Sequence, residues 1–126
     1  MSISKEITSK IQNKGFIAID EFMQIAMSGS SESYYRSKQP LGEEGDFITS
    51  PEISQIFGEI IGAWLAHCWL LLGSPKDIAL VELGPGRGTL MVDTLRATQH
   101  IKGFHDALTV NLVETSPTLK QKQWKA

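Results

Sequence analysis

The feature that most constrains the fold is a glycine-rich turn between an apolar run and an amphipathic segment. The run Ile78 to Leu83 has the length and composition of a strand that is buried on both faces. The turn after it alternates glycine with other residues and carries Gly84, Gly86 and Gly88. Thr89 to about Gln99 then shows the spacing of a helix. A strand that passes through such a turn into a helix predicts a parallel α/β sheet.

A second strand is predicted at Leu108 to Val113, which is rich in β-branched residues. Strand, helix and strand form one βαβ unit, whose strands should be parallel neighbours with a right-handed crossover. Ligands of such sheets bind at the carboxyl ends of the strands. We therefore expect Glu82 to Gly88 and Glu114 to lie together at one edge.

The residues before this unit predict helices. Ile3, Ile7 and Ile11 mark a first helix that ends near Gly15, and Asp20 is the expected N-cap of a second. We divide the chain into a helical extension and loop (1–48), a long amphipathic helix (49–73) and the start of a Rossmann-like domain (76–126). Within the long helix, Trp64 is expected in the core. The small residues Gly58, Gly62 and Ala66 lie four apart and should allow another backbone to approach closely.

Composition limits the possible partners and location. The 126 residues include 12 Lys and Arg against 14 Asp and Glu, without a basic cluster, which argues against nucleic acid or an anionic membrane as partner. No segment has the apolar length of a membrane span. The single cysteine and the lack of a signal or transit pattern lead us to expect a bacterial-type cytoplasmic protein. The three histidines show no ligand spacing, so no metal is predicted.

Two acids near the glycine turn indicate the kind of cofactor. Glu82 would repel a dinucleotide pyrophosphate, whereas it favours S-adenosylmethionine (SAM), which carries an ammonium and a sulfonium. Glu114, at the end of the second strand, can accept hydrogen bonds from both hydroxyls of a ribose. The glycine spacing is also not the G-x-G-x-x-G pattern of NAD folds, which disfavours an NAD-dependent oxidoreductase. SAM is therefore the predicted cofactor.

Structural alternatives stay open for these residues. The turn could serve the backbone alone, Glu82 could cap the amides of the glycine loop, and Glu114 could be a solvated acid. Arg87 is expected on the surface or on the substrate side, because SAM is cationic. Asp46 could organise a turn or belong to the site.

Three sequence blocks resemble the MidA-like SAM-dependent methyltransferases: Gly45 to Glu59, Glu82 to Leu90, and Val113 to Pro117. The resemblance covers nearly the whole chain, with departures at Phe16 and Ser33. It implies that the three glycines of the turn cradle the methionine part of SAM and that Glu114 holds the ribose. It also implies that the segment Gly45 to Glu52, with Asp46 and Thr49, lies near the cofactor and the substrate entrance.

The resemblance also implies a function. Mitochondrial members of that family methylate arginine in a subunit of respiratory complex I during its assembly and form symmetric dimethylarginine. Members are several hundred residues long, so we expect a truncated methyltransferase fold that is inactive alone and self-associates through an unpaired sheet edge. No catalytic residue is identified. The alternative is a non-catalytic assembly or interaction protein with a vestigial cofactor site.

Overall fold

The computed structural model describes residues 2–37 and 48–125. Its elements, in chain order, are α1 (Ile3–Lys14), α2 (Ile19–Met27), α3 (Tyr34–Ser37), α4 (Ser50–Ile53), α5 (Gln55–Leu71), β1 (Ile78–Leu83), α6 (Thr89–Thr98), α7 (Phe104–Ala107), β2 (Leu108–Val113) and α8 (Pro117–Gln123). The α/β fold class is confirmed. Gly15 closes α1 in the left-handed conformation, as the sequence predicts.

Strands β1 and β2 form a parallel pair, in register from Ile78 opposite Leu108 to Leu83 opposite Val113. Both strands begin and end at the predicted residues. Helices α6 and α7 form the crossover between them, so the βαβ unit is present. Both carboxyl ends therefore lie at the same edge, where Glu82 and Glu114 meet the glycine turn.

Helix α5 packs closely on α6 through glycine. A Cβ atom added to Gly58 would lie 2.5 Å from the Asp93 Cβ, and one added to Gly62 would lie 2.8 Å from the Thr94 carbonyl oxygen. The Thr94 hydroxyl donates to the Gly58 carbonyl oxygen at 3.3 Å. The predicted small-residue stripe is thus the contact face of α5.

A small apolar core fastens the far end of α5 to the sheet. Trp69 and Phe104 pack with ring centroids 5.3 Å apart, and Ala66 and Ala107 complete the buried cluster. The Trp69 indole N–H donates to the carbonyl oxygen of Pro75 at 2.9 Å, which satisfies the buried ring nitrogen. The start of β1 is therefore held beside the end of α5.

The structure corrects three expectations about the helices. The segment 49–73 is not one helix, because Ser54 has extended backbone (φ −153°) and its hydroxyl caps α5 by accepting from the Ile56 amide at 3.3 Å. The N-cap of α2 is Ala18, while Asp20 lies in the first turn, where its charge favours the helix dipole. Trp64 is 59% exposed rather than in the core.

The position of Trp64 follows from the contact face of its helix. Two residues along a helix correspond to a rotation of about 200°, so Trp64 points away from α6 when Gly62 faces it. Other apolar side chains of α4 and α5 are exposed with it, namely Ile53, Ile56, Phe57, Ile60 and Leu71. Small residues, rather than large apolar ones, decide which face is buried.

Within residues 48–125, β1 pairs only with β2, and its end residue Leu83 is 77% exposed. An apolar strand edge without a partner favours association with other chains. Self-association of this protein stays a prediction. None of the helices in the described ranges is both long and apolar enough to span a bilayer.

The glycine contact predicts an unusual response to alanine. Gly→Ala in a helix interior normally stabilises by up to about 1 kcal/mol. Gly62→Ala should instead lower the free energy of unfolding by about 1–3 kcal/mol, because the new methyl group meets backbone atoms of α6. Urea denaturation would measure this change in the free energy of unfolding, with Ala63→Ser on the exposed side of α5 as control. An unchanged or higher stability would contradict the close contact.

Candidate functional site

A pocket of about 360 Å³ lies at the carboxyl ends of β1 and β2, where the glycine turn faces α4. That volume is within the range of small-molecule sites. The lining residues are Tyr35, Thr49, Pro51, Glu52, Glu82, Gly84, Pro85, Gly86, Arg87, Thr89, Leu90, Glu114 and Thr115. The pocket therefore combines residues from β1, the segment after β2, the glycine turn, α3, the α4 segment and the start of α6.

The glycine turn adopts a conformation that favours glycine at three positions. Gly84, Gly86 and Gly88 have φ values of 65°, 57° and 87°, in the left-handed region. A Cβ atom added to Gly84 would meet nothing within 4 Å, so this glycine presents bare backbone to open space at the pocket. The turn thus leaves room for a ligand to lie against the main chain.

Hydrogen bonds fix the turn from two sides. The Gly84 amide donates to the Val113 carbonyl oxygen at 2.9 Å, which joins the turn to the end of β2. The Gln123 amide group donates to the Gly86 carbonyl oxygen at 2.7 Å, which joins the turn to α8.

Gly88, the N-cap of α6, has no side chain to cap the helix amides. The positive end of the helix dipole therefore lies beside the pocket.

Glu82 is the most unusual side chain of the pocket. Its Oε2 atom is buried and accepts no hydrogen bond within the described residues. Burial raises the pKa of this carboxyl above its ordinary value of 4.5, because the charged form is poorly solvated. The alternative in which Glu82 caps the glycine-loop amides finds no support at this oxygen. A buried acceptor without a donor is suited to a cationic or hydrogen-bond-donating ligand.

Glu114 already organises the backbone that follows β2. Its Oε1 atom accepts from the amides of Thr115 and Ser116 at 2.7 and 2.8 Å. These bonds orient the carboxylate at the pocket, while the Ser116 hydroxyl caps α8. The backbone bonds engage Oε1 and leave Oε2 to be directed elsewhere. The local role and a ligand role are therefore compatible.

Glu52 also lines the pocket, and the sequence analysis placed it only at the end of the resembling segment, without a role of its own. Its side chain is 17% exposed, and its Oε2 lies 3.5 Å from an Arg87 guanidinium nitrogen. The Thr89 hydroxyl donates to its Oε1 at 2.9 Å. The partner lies 37 residues away, so the local pattern could not reveal it.

The structure brings together most of the residues predicted for the site. Glu82, Gly84, Gly86, Glu114, Thr49 and Arg87 all line the pocket. Gly88 is buried behind it, where an added Cβ atom would lie 3.5 Å from the Gln123 side chain. Asp46 lies outside the described residues. Tyr35, for which the sequence analysis predicted no site role, also lines the pocket and meets Tyr34 edge to face at a centroid distance of 5.3 Å.

The pocket has an acidic lining. Among its described residues are three carboxylates, from Glu52, Glu82 and Glu114, and one cation, Arg87. This balance favours ligands that carry positive charge and disfavours phosphates. No group of three or more His, Cys, Asp or Glu that could hold a metal ion occurs within residues 2–37 and 48–125.

The family and the relatives that this chain resembles are described or named as methyltransferases. Residues 60–126 match the family described as "Putative S-adenosyl-L-methionine-dependent methyltransferase". The chain is 46% identical over 123 residues to the mitochondrial protein arginine methyltransferase NDUFAF7 homolog of Drosophila melanogaster, covering 97% of this chain and 28% of that protein. The human mitochondrial protein arginine methyltransferase NDUFAF7 is 42% identical over 121 residues, covering 94% and 27%. The chain thus spans little more than a quarter of these relatives.

A solved structure shares the fold. The crystal structure of a Burkholderia thailandensis protein bound to S-adenosyl-homocysteine superposes with a TM-score of 0.80 at 22% identity. The match covers 98% of this chain and 32% of that protein, so the fold seen here is one part of a larger one. The expectation of a truncated methyltransferase fold is confirmed.

The expected cytoplasmic location is contradicted by these comparisons. The relatives from Drosophila melanogaster, Danio rerio and Homo sapiens are all mitochondrial proteins by name. That expectation depended on the absence of a recognisable leader in the sequence, and such an absence does not determine location.

The raised pKa of Glu82 gives a pH-dependent prediction for the ligand-free protein. Its folded-state pKa lies above the unfolded value, so the stability it contributes is complete below the unfolded pKa and is lost as pH rises through the folded pKa. Glu82→Gln should therefore be more stable than wild type at pH 7, and the difference should disappear at about pH 3.

Urea denaturation of both proteins across this pH range would test it. Glu32→Gln, which removes an exposed carboxylate, is the matched control. A Glu82→Gln variant that is less stable than wild type at pH 7 would show that the ionised carboxylate is stabilised by the fold.

Proposed function

Because this chain belongs to the family of S-adenosyl-L-methionine-dependent methyltransferases, we propose that its protein transfers the methyl group of SAM to an arginine side chain of another protein. The relatives named as protein arginine methyltransferases support this substrate class. By the sequence resemblance, a subunit of respiratory complex I is the proposed target. These names do not favour the alternative of a non-catalytic assembly protein.

The observation that carries the proposal is the buried oxygen of Glu82 in an acidic pocket. Glu82 Oε2 has no donor in the described part of the protein, and SAM would bring an ammonium group to such a site. The left-handed Gly84 and Gly86 leave the main chain accessible beside it. The residues present therefore fit the cofactor of the family.

We assign the remaining cofactor contacts to the elements around the turn. The uncapped amides at the start of α6 are suited to the carboxylate of the methionine part. Glu114, oriented by two backbone amides, is suited to the ribose hydroxyls. Thr49 and Pro51 of the α4 segment also line the pocket.

When bound, the cofactor supplies a methyl group on a positively charged sulfur, open to direct attack by a nitrogen. The contribution of the chain is to bind two reactants that both carry positive charge and to align them for transfer. Glu52 and Glu82 lie in the same pocket and can attract those charges. No residue is assigned as the base that removes the guanidinium proton.

Calorimetric titration with S-adenosyl-homocysteine tests the cofactor site. The ligand keeps the ammonium and ribose of SAM, so Glu82→Gln and Glu114→Gln should each raise Kd about tenfold or more. Gln can still accept the backbone bonds that Glu114 receives, so the loop should be preserved. Glu32→Gln should leave Kd unchanged, and NADH should not compete. Equal binding by wild type and both pocket variants would overturn the assignment.

Methyl transfer is a separate measurement. The native protein that contains this chain, incubated with SAM and a glycine-flanked arginine peptide, should add methyl groups that mass spectrometry localises to arginine. The same peptide with lysine should remain unmodified, because it lacks the planar guanidinium. Cofactor binding without any arginine methylation would contradict the proposed substrate class.

A further inference from the structure

Glu52 lies at the boundary between two cavities. It lines the cofactor pocket and also an adjoining, more open groove of about 600 Å³, and Arg87 and Thr89 are shared in the same way. A side chain that extends from the groove into the pocket would therefore lie beside Glu52. This position is distinct from those of Glu82 and Glu114, which line only the pocket.

A hydrogen bond to one oxygen fixes the orientation of the Glu52 carboxylate. The Thr89 hydroxyl donates to Oε1 at 2.9 Å, which ties the carboxylate to the first residue of α6. The other oxygen, Oε2, faces the Arg87 guanidinium. A largely buried carboxylate with one fixed oxygen and a guanidinium at the other is arranged for guanidinium binding.

The pair between Glu52 and Arg87 is loose. Its nitrogen-to-oxygen distance is 3.5 Å, whereas charge-assisted hydrogen bonds are usually 2.7–2.9 Å. Arg96 shows the contrast, because it contacts Glu59 at 3.0 Å and Asp93 at 2.7 Å. The Arg87 side chain is also 48% exposed, so it can leave Glu52 for solvent at little cost.

We propose that Glu52 receives the guanidinium of the arginine substrate and that Arg87 occupies its place until the substrate binds. The inference rests on the proposed function and adds the residue that selects the substrate. Arg87 is an internal competitor of the same chemistry, so the substrate exchanges one guanidinium for another at Oε2. Neither oxygen of Glu52 is then left without a donor.

The groove is also lined by Lys122 and Lys125, and Glu52 is the carboxylate among its described residues. The pocket and the groove share this acid, so a guanidinium in the groove finds its carboxylate partner at Glu52.

The test measures peptide binding in the native protein saturated with S-adenosyl-homocysteine, using a glycine-flanked arginine peptide as probe. Glu52→Gln should raise the peptide Kd about tenfold or more, because Gln keeps an acceptor for Thr89 but has no charge. Glu59→Gln is the matched control, since it also removes a carboxylate paired with arginine but lies outside both cavities. It should leave the peptide Kd unchanged.

Arg87→Gln is the sharper test. If Arg87 competes with the substrate for Glu52, the peptide should bind more tightly to this variant, and if Arg87 has another role it should not. Removing an internal competitor should lower the peptide Kd about 2- to 5-fold, the range expected for an exposed ion pair. If the pair is only structural, or if Arg87 itself binds substrate, the Kd should stay equal or rise. Either of those results would refute the proposal that Arg87 occupies the substrate position at Glu52.

Binding of S-adenosyl-homocysteine, measured on the same samples, separates the two proposals. If the wild-type protein does not bind S-adenosyl-homocysteine, the proposed cofactor site is refuted. Normal cofactor binding with no effect of Glu52→Gln on peptide binding would refute the Glu52 subsite alone. Normal cofactor binding with no peptide binding by wild type would contradict the proposed substrate class and the subsite with it. Thermal unfolding of each variant establishes that it is folded, and Glu52→Asp provides a second, still charged, variant for partial rescue.

Discussion

The close contact between α5 and α6 is the constraint on which the candidate site depends. Gly58 and Gly62 let α5 approach α6 so closely that a side chain at either position would clash with α6. That contact sets the distance from α4, which directly precedes α5, to the first turn of α6. Glu52 can therefore reach Thr89 and Arg87 from the neighbouring helix.

The pocket itself is formed at some cost to stability. Burial of Glu82 raises its pKa and leaves one carboxylate oxygen without a donor. Such an arrangement is unfavourable for the protein alone and favourable for a cationic ligand that supplies the missing partner. Glu114 shows the opposite solution, since two backbone amides already satisfy one of its oxygens. One acid thus has an oxygen without a donor in the described part of the protein, and the other is oriented by backbone amides.

Much of the fold was predictable because its signals are local. The strands Ile78–Leu83 and Leu108–Val113 begin and end where their apolar composition indicated, and Gly15 ends α1 as a left-handed cap. Trp64 could not be placed in this way. Its apolar character suggested burial, yet the buried face of α5 is decided by the glycines that α6 packs against.

The sequence by itself determined the glycine turn, its flanking acids and the parallel βαβ unit, because each depends on residue type and short spacing. The resemblance placed the segment that ends at Glu52 near the cofactor, but only the tertiary structure decided which groups its carboxylate contacts. Its partners Arg87 and Thr89 lie 35 and 37 positions away in the chain. These contacts arise from packing between helices, and no spacing rule within either helix encodes them.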